Sequence, residues 1–159
     1  MIRAENITKT FGDQEILKGI SIIFEEGKTN LIIGRSGAGK TVLLKTLIGL
    51  VQPTTGTVWY DNVDFTNLGK EELRTVRMQV GMLFQGSALF DSLSVEQNIR
   101  FPLDMFTNMN AKEKAERVNL CLERVSLTGA NKKYPSELSG GMQKRVGIAR
   151  AIVDRKSVV

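Results

Sequence analysis

At 159 residues, 42% of them hydrophobic and 25% charged, the chain is long enough for one hydrophobic core, and its make-up excludes wholesale disorder and a fibrous repeat. Its net charge of +5 invites an anionic partner. The basic residues, however, come as pairs (Lys132-Lys133, Lys144-Arg145, Arg155-Lys156) among acidic ones, which reads as a solvated face rather than a nucleic-acid stripe. The apolar stretches around 20–24 and 43–51 fall short of the roughly 20 residues of a membrane helix, and Met1-Ile2-Arg3-Ala4-Glu5 lacks the apolar core of a secretory signal. Cys121 has no second cysteine to pair with in the chain, which suits a reducing compartment, so a cytoplasmic chain is expected.

Residues 1–9 and 16–24 alternate at strand period about the turn-like Gly12-Asp13, predicting an antiparallel pair. The apolar run Thr29 to Ile33 reads as a buried strand ending at Gly34. From Lys40, Leu43, Leu44, Leu47 and Ile48 recur at helical spacing up to Gly49. Pro53 to Gly56 is turn chemistry, Thr57 to Tyr60 a strand, Lys70 to Met78 a helix and Val80 to Phe84 a second buried strand. Asn110 caps a predicted helix whose stripe is Ala111, Ala115, Val118, Leu122 and Val125, with Cys121 a small core residue beside it. Pro135 breaks the next segment. Ser139 then opens a last helix with Met142, Val146, Ala149 and Ile152 or Val153 on one face. Alternating strands and helices behind an antiparallel pair predict an α/β fold.

Between the run 29–33 and the helix from Lys40 lies Gly34-Arg35-Ser36-Gly37-Ala38-Gly39-Lys40-Thr41, which fits the phosphate-loop pattern G-x-x-x-x-G-K-[ST]. Glycines let the backbone wrap a phosphate, so that successive amides and the helix N-terminus point at the anion. Lys40 then supplies a charge for the β and γ phosphates of ATP, and Thr41 a hydroxyl for Mg²⁺. The spacing of Gly34, Gly37 and Gly39 does not fit the dinucleotide pattern G-x-G-x-x-G.

A phosphate loop alone leaves kinases, GTPases and many ATPases open. Leu138-Ser139-Gly140-Gly141-Met142-Gln143, continuing through Lys144 to Ala151, resembles the signature segment of the ATP-binding-cassette (ABC) family. Without the phosphate loop, Ser-Gly-Gly before a helix is only a cap. With it, the resemblance implies that Ser139, Gly140 and Gly141 form a second anion site facing the γ-phosphate held by another copy, so that a homodimer sandwiches two ATP molecules. Phe11 resembles the aromatic on which adenine stacks, with ordinary strand-end packing as the other reading. Gln85 resembles the glutamine that reaches Mg²⁺ and the attacking water.

The resemblance implies a P-loop NTPase of ABC type, with a RecA-like core, an N-terminal antiparallel β subdomain and a helical subdomain. It divides the chain at 1–84 (β subdomain and phosphate-loop part of the core), 85–138 (glutamine loop and helical subdomain) and 139–159 (signature helix and the start of an acidic strand). Gly86 to Val95, continuing to Phe101-Pro102-Leu103, is similar to the ATPases of Mla-type lipid transporters, with Gln97 where a Glu is usual before Asn98. That likeness implies a membrane permease contacting residues 91–123, an MCE-type lipid-binding partner, phospholipid as cargo, no nucleic acid, and a place on the cytoplasmic face of the inner membrane. A soluble ABC protein acting on nucleic acid or ribosomes, and a non-hydrolytic nucleotide-binding module, are the alternative readings.

The family places an Asp-Glu strand and then a histidine after the signature helix. Here Ser157 to Val159 at most begins that strand, and there is no histidine. The expectation is a C-terminally incomplete cassette with little or no ATPase activity. Its open sheet edge should make it associate.

Overall fold

The computed structural model describes every residue except Gln85, Arg155, Lys156 and Val159, and only the backbone of Ser157 and Val158. Residues Met1–Arg77 and Met78–Val159 form two compact units. In the first, β1 (Ile2–Phe11) and β2 (Gln14–Phe24) pair antiparallel, with Ile2 opposite Phe24 and Phe11 opposite Gln14. Gly12 takes the positive φ (55°) that the two-residue turn requires. β3 (Thr55–Tyr60) pairs on the other side of β1 and β4 (Val63–Asp64) on β3, giving the order β2-β1-β3-β4.

One face of this sheet buries Ala4, Ile7, Leu17 and Val58 in one cluster with Phe65, just after β4, and with Leu43 and Leu47 of α1 (Lys40–Leu47). A fully buried Ile or Val contributes about 1.5–3 kcal/mol, so the face fixes which side of β1 points inward. α1 stops where Gly49 turns to φ 70°, and Arg77, at the end of α2 (Lys70–Arg77), donates to the carbonyls of Ile48 and Gly49. A guanidinium at a helix C-terminus satisfies orphan carbonyls and complements the dipole.

The second unit packs α3 (Val95–Phe106), α4 (Ala111–Arg124) and α5 (Gly140–Ile152) around Val95, Ile99, Leu103, Val118, Cys121, Leu122, Val146, Ala149 and Val153. Capping boxes open α3 (Ser94 with Gln97) and α4 (Asn110 with Glu113). A 3₁₀ turn at Pro135–Glu137 precedes α5. β5 (Val80–Gly81) pairs parallel with β6 (Ser157–Val158).

Two sequence expectations need correction. Thr29 to Ile33 joins no ladder, and Leu31 and Ile33 are 79% and 84% exposed. A strand exists only through its pairing, and among the described residues none pairs with this run, so its apolar side chains stay at the surface. The buried strand expected over Val80 to Phe84 shrinks to Val80–Gly81, with Phe84 exposed. Pro102 removes one backbone donor from α3, and burial of Val95, Ile99 and Leu103 on either side of it offsets the loss.

Candidate functional site

Residues 34–41 form the loop into α1. Gly37 and Gly39 lie at φ 79° and 83°, a region that residues with a Cβ seldom adopt. Gly39 is the N-cap of α1, no side chain caps that end, and its first turn holds no acidic residue. The helix therefore presents free amides and the positive end of its dipole to whatever occupies the loop. The Lys40 ammonium lies across the loop and donates to the carbonyls of Gly34 (2.7 Å) and Arg35 (2.8 Å). Ala38 N donates to Arg35 O (3.2 Å), which closes the turn. Arg35, Ser36, Gly37, Ala38 and Thr41 are exposed, so the concave backbone and the Thr41 hydroxyl are open to a ligand.

Phe11 ends β1 and is half exposed, with the Lys9 ammonium 4.9 Å from its ring centroid. Its outer surface is free to stack, and Lys9 is a cation beside it that the sequence reading passed over. Gln85 lies outside the described residues, so nothing is added to the reading of it.

In the second unit, Ser139 caps α5 by accepting from Met142 N (3.3 Å). Gly140 has no atom within 4 Å of where a Cβ would stand, and Gly141 has only Ser139 Oγ, at 4.0 Å. Packing inside this chain therefore does not demand glycine at either position, which leaves the helix N-terminus bare for an approach from outside. Gln143 folds back onto Pro135 O (2.9 Å), and Arg145 holds the carbonyls of Val125 and Ser126 at the end of α4 (3.2 and 3.0 Å).

The sequence reading also missed two polar residues that hold the segment after Gln85. Asn98, fully buried, accepts from Phe90 N (2.8 Å) and donates to the carbonyls of Phe90, Leu93 and Ser94. Arg150 donates to the carbonyls of Ser87 (2.8 Å) and Ala88 (2.9 Å). The available signal was a polar side chain on the buried stripe Val95, Asn98, Ile99 and Leu103.

Among the described residues, no group of three or more His, Cys, Asp or Glu is placed to hold a metal ion, and no helix is long and apolar enough to cross a membrane.

A family model described as ABC transporter matches residues 17–159. The chain is 40% identical over 152 residues to the probable ribonucleotide transport ATP-binding protein mkl of Mycobacterium leprae (strain TN), covering 96% of this chain and 44% of that protein. It is 36% identical to the cell division ATP-binding protein FtsE of Escherichia coli (strain K12), over the whole chain and 72% of the relative. The chain thus spans less than half the length of the mycobacterial relative. Among solved structures, the dimeric post-hydrolysis state of the ATP-binding cassette MJ0796 bound to ADP and Pi superimposes with a TM-score of 0.90 at 32% identity, over 98% of this chain and 71% of that one. CbiO1 from Clostridium perfringens, part of the ABC transporter complex cbiONQ, gives 0.85 at 27% identity, over 98% and 62%.

Proposed function

This chain belongs to the ABC transporter family and has its cassette fold, and from that premise we propose that residues 34–41 bind the phosphates of ATP in a subunit that drives transport through a membrane permease. The observation that carries this reading is the geometry of the loop. Two left-handed glycines and an uncapped helix N-terminus free of acidic residues make a cradle for an anion, with Lys40 already lying across it.

Mg²⁺ fits the same loop. With no acidic cluster in the described residues to cage it, the ion would be held by Thr41 Oγ and the phosphate oxygens, keeping several waters, as Mg²⁺ prefers. When bound, it neutralises charge on the phosphates. Phe11 stacks the adenine, and Ser139, Gly140 and Gly141 meet the γ-phosphate held by a second copy. Gln85 is assigned to Mg²⁺ and the attacking water on the resemblance alone.

We assign the permease contact to residues 91–123, and the exposure of Phe101, Met105 and Phe106 of α3 and Leu120 of α4 supports that choice. Phospholipid as cargo, an MCE-type partner and a place on the cytoplasmic face of the inner membrane rest on the likeness of 86–103 to the Mla-type ATPases. Of the relatives, one is described by ribonucleotide transport and another by cell division.

Titration with a fluorescent ATP analogue tests it. Hydrogen bonds to charged groups contribute about 1.5–3 kcal/mol, so Lys40→Ala should weaken binding by roughly 10- to 100-fold. Equal affinity in the two chains would sink the assignment.

A further inference from the structure

α5 does more than carry the Ser139 end. One face of it clasps the segment that follows β5. Gly147 is buried, and a Cβ on it would stand 2.8 Å from Leu83 Cδ1 and 3.4 Å from Ser87 Cβ. A Cβ on Gly81 would likewise run into the carbonyl oxygen of Ala151. Glycines at 81 and 147 thus let the helix sit directly on this segment. Arg150, one turn beyond Gly147, then reaches over Ser87 and Ala88 to take both carbonyls, and its guanidinium stands 5.8 Å from the Phe90 ring centroid.

The segment needs an external hold. Gly86, Ser87 and Ala88 lie consecutively at φ 83°, 68° and 44°, and two of the three carry side chains that disfavour that region. Ser87 is nevertheless buried. Among the described residues, a single backbone hydrogen bond, from Ser87 N to Phe84 O (3.0 Å), ties this stretch locally. The planar guanidinium matches the pair of carbonyls as no single-point donor does. Asn98 fixes the other end of the segment, from Phe90 to Ser94. Phe90 in turn packs on Phe101 of α3, with ring centroids 5.0 Å apart.

We infer that Arg150 is a positioning residue that fastens segment 86–94 to α5, so that movement of the helix led by Ser139, Gly140 and Gly141 carries with it the segment after Gln85 and the Phe90–Phe101 surface. This deepens, and rests on, the reading of α5 as the helix that meets nucleotide. A nucleotide sensed at the helix N-terminus is thereby reported at Phe90, on the lobe assigned to the permease.

Amide exchange followed by NMR at Ser87 and Phe90, both hydrogen-bonded in the structure, tests the clamp in the wild-type chain, Arg150→Ala and Arg150→Lys. Without nucleotide, exchange at these two amides should be about tenfold faster in Arg150→Ala and intermediate in Arg150→Lys, which keeps the charge but not the paired donors. Amides in the middle of α4 should stay within about twofold, which separates a local release from global destabilisation. Addition of Mg-ATP should slow exchange at Ser87 and Phe90 in the wild type and not in Arg150→Ala, with ATP affinity unchanged. Equal exchange in all three chains, or slowing by nucleotide that survives in Arg150→Ala, overturns the proposal. If Arg150→Ala does not fold, a wild-type exchange rate in Arg150→Lys overturns it. Failure of the wild type to bind ATP defeats the nucleotide reading instead, and the nucleotide-free comparison still decides the clamp.

Discussion

Leu17 of β2 occupies the space that a side chain on Gly39 would need: a Cβ there would lie 2.9 Å from Leu17 Cδ2 and 3.2 Å from the carbonyl oxygen of Ile16. The N-cap of α1 is therefore pressed against the N-terminal hairpin, and the glycine serves packing as well as its φ of 83°. Gly39→Ala combines a left-handed Ala with a clash against backbone, at a cost of about 1–3 kcal/mol. Relief requires the loop to lift from β2, which spoils the spacing of its amides. The expected result is a lower urea midpoint together with at least a roughly tenfold loss of ATP affinity, about 1.4 kcal/mol of binding. Gly37→Ala is the control. Nothing lies within 4 Å of its Cβ, so it should lose stability only through its φ of 79°.

The legible parts of the molecule are those whose chemistry is local in the chain. Gly34 to Thr41 carries its own geometry, since the left-handed positions and the charge that lies across them are neighbours. The caps Asn110 and Ser139 are likewise read from a few residues. Thr29 to Ile33 fails because an apolar run looks the same whether or not another strand pairs with it, and here Leu31 and Ile33 face outward unpaired. The Arg150 contacts with Ser87 and Ala88 join residues 63 and 62 apart, a distance no window along the sequence spans.

Asp104 of α3 makes a pH-dependent link. Partial burial pushes its carboxyl up, but hydrogen bonds from Lys114 of α4 and Arg100, both 2.9 Å, together with their charge, leave it below the usual aspartate value of 3.8. A carboxylate whose folded pKa is depressed stabilises the fold fully above its unfolded pKa, and loses that contribution as pH falls through the folded one. The side chain is 42% exposed, so screening holds the link to about 0–1 kcal/mol. Asp104→Asn should therefore unfold at slightly lower urea at pH 7, and the gap to wild type should close as pH falls and the Asp104 carboxylate takes up its proton. A gap that persists unchanged at low pH would mean that the residue acts through packing and not through charge.

Asn98 is the polar residue on which the fold of the second unit should depend most. It is fully buried, and its amide group accepts one backbone N–H and donates towards three carbonyls, so each lobe of the side chain has its use. Asn98→Ala strands Phe90 N and several carbonyls beneath α3, at about 2–4 kcal/mol. Asn98→Asp keeps the shape and the acceptor, but it turns the donor end into an oxygen facing the carbonyls of Phe90, Leu93 and Ser94, in a site with no cation among those partners. It should cost at least as much as Asn98→Ala, a reversal of the usual ranking of conservative over drastic replacement. Urea denaturation at pH 7 measures both, with an unchanged m-value required before the midpoints are read as stability. If Asn98→Asp proved the milder of the two, the side chain would hold the segment by its volume, and the hydrogen bonds to 90–94 would be incidental to the fold.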